Sequence, residues 1–186
     1  MNVLLIRHGL TQGNLERRYI GAGTDEPLCE EGIRRLRLLR VPPVARVYIS
    51  PMLRCRMTAE ILYPTIRPRI VSDFRECSFG LFEGKNYAEL NGLPAYQAYI
   101  DSGGTCPFPG GESQAEFRTR CVRAFSDLLP ELRAHSSALI IHGGTIMSIL
   151  DAFAQPHRPY FDWQLKNGEG CVLDLTDYSV KFLKDE

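Results

Sequence analysis

Apolar residues recur along this chain with two alternating periods. Short unbroken or alternating runs at 2–7, 46–49, 69–72, 137–142, 171–175 and 180–183 have the length and β-branched content of strands. Between them, 30–40, 52–62, 93–100, 113–134 and 145–153 space their apolar residues as helices do. Such alternation predicts an α/β fold: a mostly parallel sheet with helices on both faces. Ser113-Gln114-Ala115-Glu116 has the spacing of a capping box, and Pro130 is expected to kink or divide the helix it opens. The stretch 77–111 breaks both periods and carries Gly80, Gly84, Gly92, Gly103, Gly104, Gly110 and Gly111. It reads as an insertion that folds over the sheet edge as a partial lid.

Two of the strands end alike. The run through Val3-Leu4-Leu5-Ile6 closes on Arg7-His8-Gly9, and Ala138-Leu139-Ile140-Ile141 closes on His142-Gly143-Gly144. In a parallel sheet such ends meet at one edge, where α/β proteins bind ligands. A guanidinium beside His8 suits a phosphate: Arg7 holds a phosphoryl oxygen while the neutral imidazole attacks phosphorus, and Gly9 lets the backbone come close. His142 would add an imidazolium and the backbone amides of a helix N-terminus. Ser50-Pro51-Met52-Leu53-Arg54 follows another strand; Pro51 suits a first helical position, and Arg54 points back toward the strand end. Arg56 faces a different direction. Glu76 and Glu83 flank the glycine-punctuated entry to the insertion. One of them can protonate a leaving alcohol and then deprotonate an attacking water, and Glu76, just past a strand, is the better placed.

Composition narrows the class. The chain has 186 residues, 44% apolar, enough for one domain, 1–186, with a proper core. No apolar stretch approaches the roughly 20 residues of a membrane helix, and His8 leaves no room for a cleavable signal peptide, so no membrane association and a cytoplasmic location are expected. Six cysteines without Cys-x-x-Cys spacing are expected to be free and half buried. Acidic and basic residues balance at 22 each, but 18 of the basic ones are arginine, the side chain best shaped for phosphate. Arg34, Arg35, Arg37 and Arg40 follow Glu30 and Glu31 on an amphipathic helix with no stacking aromatics nearby, which reads as a solvated face and not a nucleic-acid surface. Cys29 and Arg35 have the spacing of a cysteine-dependent phosphatase, but Glu30 and Glu31 between them would repel the phosphate. The histidines are His8, His135, His142 and His157, none in a carboxylate cluster with ligand spacing, so neither metal nor cofactor is expected. His135 and His157 read as structural or exposed.

Taken together, these residues resemble the histidine phosphatase superfamily, the phosphoglycerate mutase-like proteins. The likeness runs in order through Arg7-His8-Gly9-Leu10-Thr11, Asn14, Gly21, Asp25-Glu26-Pro27-Leu28 and Glu31-Gly32. It continues through Ser50 to Arg54 with Thr58-Ala59, Glu76, Phe79-Gly80, Glu83-Gly84, Pro109 to Ser113 and His142-Gly143-Gly144. The resemblance implies a three-layer α/β/α sandwich and phosphoryl transfer through a phosphohistidine on His8. It implies that Arg7, Arg54 and His142 bind the phosphoryl group of a small phosphorylated metabolite, that Asn14, Gly21 and the Gly143 amide assist, and that Glu76 donates the proton.

Departures from the family pattern bear on substrate. Phe82 stands where the small phosphatases often carry tryptophan, and Met147 where an arginine often follows His-Gly-Gly. Mutases have a longer lid with basic residues that grip a substrate carboxylate, whereas 87–99 here contains no arginine or lysine. A phosphatase is therefore expected, most similar to α-ribazole phosphatases and broad-specificity members. A phosphoglycerate mutase is the alternative, as is a non-catalytic phospho-ligand binding protein on the same fold. Phe79, Phe82, Tyr87, Tyr96 and Tyr99 are either the lid's own core or a surface for a ring-bearing leaving group, the former being favoured.

Overall fold

The computed structural model describes residues 1–183. Among them the strands are β1 (Asn2–Arg7), β2 (Arg46–Ile49), β3 (Arg69–Ile70), β4 (Ser137–Ile141), β5 (Gly170–Asp174) and β6 (Val180–Phe182). The helices are α1 (Gln12–Leu15), α2 (Glu30–Leu38), α3 (Leu53–Leu62), α4 (Tyr87–Leu90), α5 (Pro94–Asp101), α6 (Gln114–Ala134) and α7 (Gly143–Phe153). The strands form one sheet in the order β3-β2-β4-β1-β5-β6. From β3 to β1 every pairing is parallel; β5 runs antiparallel to both β1 and β6.

Alternation along the central strands builds the layers. Val3, Leu5, Tyr48, Leu139 and Ile141 point to one face and pack with Ala124, Phe125 and Leu132 of α6 and Ile146, Ile149 and Leu150 of α7. Leu4, Ile6, Val47, Ile49, Ala138 and Ile140 point to the other, toward Cys55 and Ala59 of α3. α2 lies against α3 on that side. Both faces of β1 and β4 are thus apolar, which is why these strands read as continuous hydrophobic runs.

The last strand predicted before the insertion is shorter than its 69–72 run: β3 keeps two residues, and Ser72–Phe74 turns as a short 3-10 helix whose Phe74 is buried. α6 begins at a capping box, Ser113 with Glu116, as the sequence indicated. It is not divided at Pro130. The proline falls near the end of the helix, where buried Phe125 and Leu132 on either side tie the chain to the core, and Tyr48 donates a 2.7 Å hydrogen bond to Glu131 next door. The cysteines are free, but more deeply placed than expected: Cys55, Cys77, Cys121 and Cys171 are buried, Cys29 is intermediate and Cys106 exposed. No helix among the described residues is long and apolar enough to cross a membrane.

Candidate active site

Register brings the predicted residues to one edge. Arg7 pairs with Ile141, and Ile49 with Ile140, so His8, Ser50 and His142 each leave the sheet at its carboxyl end within a step of one another. The His8 amide still donates to the Ile141 carbonyl at 3.0 Å, and the two imidazole centroids are 5.2 Å apart. Gly143 then opens α7, directing its first amides toward the same edge.

His8 is buried, and its Nδ1 lies 2.8 Å from the Gly9 carbonyl oxygen. That carbonyl accepts the Nδ1 proton and leaves the lone pair on Nε2. Burial, followed by the nearby Arg54 and Arg7 guanidiniums, pushes the ring well below the ordinary histidine range, so it is neutral and nucleophilic at physiological pH. Arg7 donates to the Leu165 carbonyl at 2.7 Å. Arg54, fully buried in the first turn of α3, donates to the carbonyls of Thr24 at 2.9 Å and Gly21 at 3.1 Å. Arg56 is exposed, as its helical direction required.

Glu76 is almost enclosed: Oε1 accepts the Cys77 amide at 2.9 Å, and Oε2 stands 3.9 Å from His142 Nδ1. Burial raises its pKa against the pull of that amide and of Arg54, Arg7 and Arg120, which favours a carboxyl able to carry a proton. Glu83 is occupied otherwise, accepting the amides of Gly21 at 2.6 Å and Phe79 at 3.2 Å. It pins the entry to the insertion to the loop after α1. Gly21 meets this junction so closely that a Cβ there would lie 2.2 Å from the Cys77 carbonyl. Both backbone groups of Gly21 are engaged by protein, its carbonyl by Arg54. Asn14 accepts the Asn167 carboxamide through Oδ1 at 2.9 Å, so its nitrogen end remains to donate.

The imidazolium expected at His142 is corrected by its surroundings. Burial, then Arg54, His8, Arg7 and Arg120, push its pKa well below the ordinary range, so the protein itself favours the neutral ring.

Among the described residues, buried side-chain nitrogens or oxygens without a hydrogen-bond partner are Arg7 Nε, Arg54 Nε, His142 Nδ1 and Trp163 Nε1. Three of the four belong to this one site. A buried polar atom without a partner costs on the order of 1–3 kcal/mol, so three together at one site mark a place where the protein leaves polar groups for something else to satisfy. An open depression bounded by Gln12, Leu28, Cys29 and Arg34 lies elsewhere and contains none of these groups.

Arg120 had no place in the sequence reading, and Glu112 and Thr58 entered it only within the matched family pattern. Arg120 of α6 is buried and donates to the carbonyls of Asp73 and Arg75 at 2.8 Å and Glu76 at 3.0 Å, while Glu112 clamps it through both oxygens at 2.6 and 2.7 Å. Glu112 also accepts the Ser78 amide at 3.0 Å. The loop that carries Glu76 is therefore fastened to α6 at three points of its backbone, and at a fourth to Glu112 just before it. Thr58 accepts the Gly9 amide at 3.0 Å and donates to the Arg54 carbonyl at 2.7 Å, joining the turn after His8 to α3.

A mostly parallel sheet gathers two histidines, two arginines and an almost enclosed carboxyl at its carboxyl edge, the arrangement of an α/β enzyme site built for an anion. The chain matches the model of the histidine phosphatase superfamily (branch 1) over residues 3–184 and belongs to that family. It is 28% identical over 187 residues to the adenosylcobalamin/alpha-ribazole phosphatase of Salmonella typhimurium, covering 95% of this chain and 92% of that protein. It is 27% identical over 186 residues to the Proteus mirabilis protein named "Probable phosphoglycerate mutase GpmB", covering 96% of this chain and 85% of the other. The crystal structure of a phosphoglycerate mutase from Thermus thermophilus superposes with a TM-score of 0.77 at 31% identity, covering 100% of both chains.

Proposed function

We propose that residues 1–186 form one histidine phosphatase domain that hydrolyses phosphomonoesters through a phosphohistidine on His8, with 77–111 as a partial lid. The observation that carries this reading is the set of unpaired donors, Arg7 Nε, Arg54 Nε and His142 Nδ1, around a neutral His8 whose Nδ1 is held by Gly9. In the first step Nε2 of His8 attacks phosphorus and the ester P–O bond breaks, the leaving alkoxide taking the proton of Glu76. In the second, the Glu76 carboxylate removes a proton from water, which attacks the phosphohistidine; the N–P bond breaks and inorganic phosphate leaves. Arg7, Arg54 and His142 hold the equatorial oxygens, helped by the Gly143 amide and the Asn14 nitrogen, and Gly21 contributes by holding Arg54. Losing one such preorganised donor costs on the order of a hundred- to a thousandfold in rate. With two guanidiniums on the phosphoryl group, the reaction proceeds without a metal.

A phosphatase is favoured over a mutase because 87–99 offers no cation to hold a substrate carboxylate while a phosphoenzyme waits. The Salmonella relative's name supports α-ribazole phosphate as one substrate to try, alongside a broad range of small phosphorylated metabolites. Six free cysteines favour a reducing, cytoplasmic setting.

Rapid quenching with a radiolabelled phosphomonoester is expected to trap acid-labile, alkali-stable label on His8. That label should discharge to inorganic phosphate whether or not 3-phosphoglycerate is present, and chelator or thiol alkylation should leave the rate intact. His8→Ala should lower turnover by up to about a millionfold, the scale for removing a covalent nucleophile. Return of the phosphoryl group to 3-phosphoglycerate faster than to water would turn the assignment to a mutase. Loss of activity in chelator would reject the metal-free mechanism.

A further inference from the structure

His142 is faced by charged or titratable groups from every element packed against it: Arg7 and His8 beyond β1, Arg54 and Cys55 of α3, Glu76 in the loop after β3, and Arg120 of α6. Its two ring nitrogens meet different surroundings. Nε2 lies 2.7 Å from the Ser50 hydroxyl oxygen and 3.7 Å from the Cys55 sulfur. Nδ1 has no hydrogen-bond partner, although the residue is fully buried, and Glu76 Oε2 stands 3.9 Å away.

A neutral imidazole has one N–H and one lone pair, and its hydrogen bonds decide which nitrogen carries which. Ser50 Oγ already accepts the Met52 amide at 3.4 Å. Donation from the Ser50 hydroxyl to Nε2 then satisfies the proton of a fully buried serine. The reverse arrangement would leave that proton only the Cys55 sulfur, a weak acceptor. Cys55, its thiol pushed up to about 12 by burial, keeps its own proton and presents a second donor to Nε2. The lone pair therefore belongs on Nε2 and the proton on Nδ1.

We infer that Ser50 is a positioning residue for phosphoryl transfer: by donating to Nε2 it holds neutral His142 in the tautomer whose Nδ1–H reaches a phosphoryl oxygen. The advantage follows from the pair of histidines. His8 must be neutral to attack, and His142 must offer an N–H at the same moment, with ring centroids 5.2 Å apart. Were the second N–H obtained by protonating His142, the pH that supplied it would also protonate a growing share of the nucleophile, so the rate would peak at a lower pH and at a lower height. Fixing the tautomer removes that conflict and lets both rings work uncharged.

The role assigned to Nδ1 rests on His8 as nucleophile, whereas the tautomer itself is read without turnover. Nitrogen-15 NMR of the full chain labelled at histidine, with the His142 signals assigned by their loss in His142→Gln, is expected to give a protonated Nδ1 and an unprotonated Nε2 at neutral pH. In Ser50→Ala the two tautomers should mix. The kcat/KM of Ser50→Ala on p-nitrophenyl phosphate should fall roughly two- to tenfold at neutral pH, less than for outright loss of a donor because about a half to a tenth of the population keeps the right tautomer. Its optimum should move to lower pH, where the imidazolium regains the Nδ1 proton. Ser50→Thr, which keeps the hydroxyl, should restore the shape of the wild-type profile. A protonated Nε2 in the wild-type spectrum overturns the proposal even if Ser50→Ala fails to fold, as does a Ser50→Ala profile whose optimum stays in place. Absence of wild-type turnover would reject the hydrolase reading instead, and the spectrum would still decide the tautomer.

Discussion

The edge where His8, Arg54 and His142 meet and the 77–111 insertion beside it are built on opposite plans. At the edge, polar groups are buried and some have no partner: His8, Ser50, Arg54 and His142 are each exposed by 3% or less. Strand ends and helix starts hold them, and the cost of their desolvation is carried by the sheet beneath. The insertion instead buries rings against rings. Phe79, Phe82, Tyr96, Tyr99 and Phe108 pack with one another and with Tyr19, mostly edge to face though Tyr99 and Phe108 stack, over Phe117 and Cys121 of α6. Its outer side leaves Leu81, Tyr87 and Leu93 exposed. Two polar junctions join the plans, Glu83 with Gly21 and Glu112 with Arg120. The contrast separates two kinds of packing: the edge buries charged and polar groups, while the insertion is a separately packed aromatic unit beside it.

Glu76 is the residue on which that separation is tested hardest, because it lies at the seam but belongs to the edge. Glu76→Gln is expected to slow alkyl phosphates by roughly a hundred- to ten-thousandfold, the span for a positioned general acid, while p-nitrophenyl phosphate, whose leaving group needs little protonation, suffers far less. Glu83→Gln should show no such leaving-group dependence and should loosen the insertion instead. Rates across a series of leaving groups check both, and the opposite ranking would move the proton donor to Glu83.

Phe82 probes the other plan. Its ring is almost fully buried and touches Tyr96, Tyr99 and Phe108 at centroid separations of 5.3 to 5.9 Å. Phe82→Ala should cost about 3–5 kcal/mol of stability by denaturant titration, the scale for truncating a buried phenylalanine. Where the variant remains folded, small aryl phosphates should still label His8. A variant that loses labelling yet keeps its fold would mean the insertion shapes the edge itself.

The two plans also differ in how far they could be read from sequence. The edge was legible because β1 and β4 are continuous apolar runs that stop at His-Gly; Pro51 misplaces the start of α3, which has Met52 as its N-cap and opens at Leu53, yet Arg54 still falls in its first turn and is aimed at the edge. The aromatic cluster was legible as the insertion's own core except at Tyr87, which lies exposed outside it, and α4, four residues long, left no periodic trace. Ser50 resembled an ordinary helix-start hydroxyl, since its partner lies 92 residues away and only register unites them. Arg120 looked like one more arginine of an amphipathic helix. It did leave a signal, for it falls beside Cys121 and between Phe117 and Ala124 on the buried face of α6, where an unpaired charge cannot stay. The brevity of β3 escaped notice because the pleated run 69–72 continues past the point where the chain must turn to bring Phe74 inward.

Acid sensitivity offers the smallest effect and the finest test of the edge. His8 and His142 have folded-state pKa values well below the unfolded value of about 6.5, because burial beside Arg54 and Arg7 disfavours their charged forms. As pH falls from about 6.5, the unfolded chain binds protons that the folded one refuses, so stability is fully present above that pH and is lost below it, until the folded pKa is reached. Each histidine can contribute up to about 1.4 kcal/mol per pH unit within its window. Glu76 acts in the opposite sense: its raised pKa means that the folded state takes up a proton first, offsetting one histidine over the range just above ordinary carboxylate values. Denaturant titrations between pH 5 and 8 are therefore expected to find wild-type stability falling on the acid side. Glu76→Gln, lacking the opposing carboxyl, should fall more steeply, and His142→Gln more gently. Carboxylates held low by surface partners, such as Glu31 at about 2, act only below this range and do not blur the result. A flat wild-type curve across the interval would mean that the two rings take up protons in the folded state, and that the neutral pair on which the proposed chemistry depends does not exist.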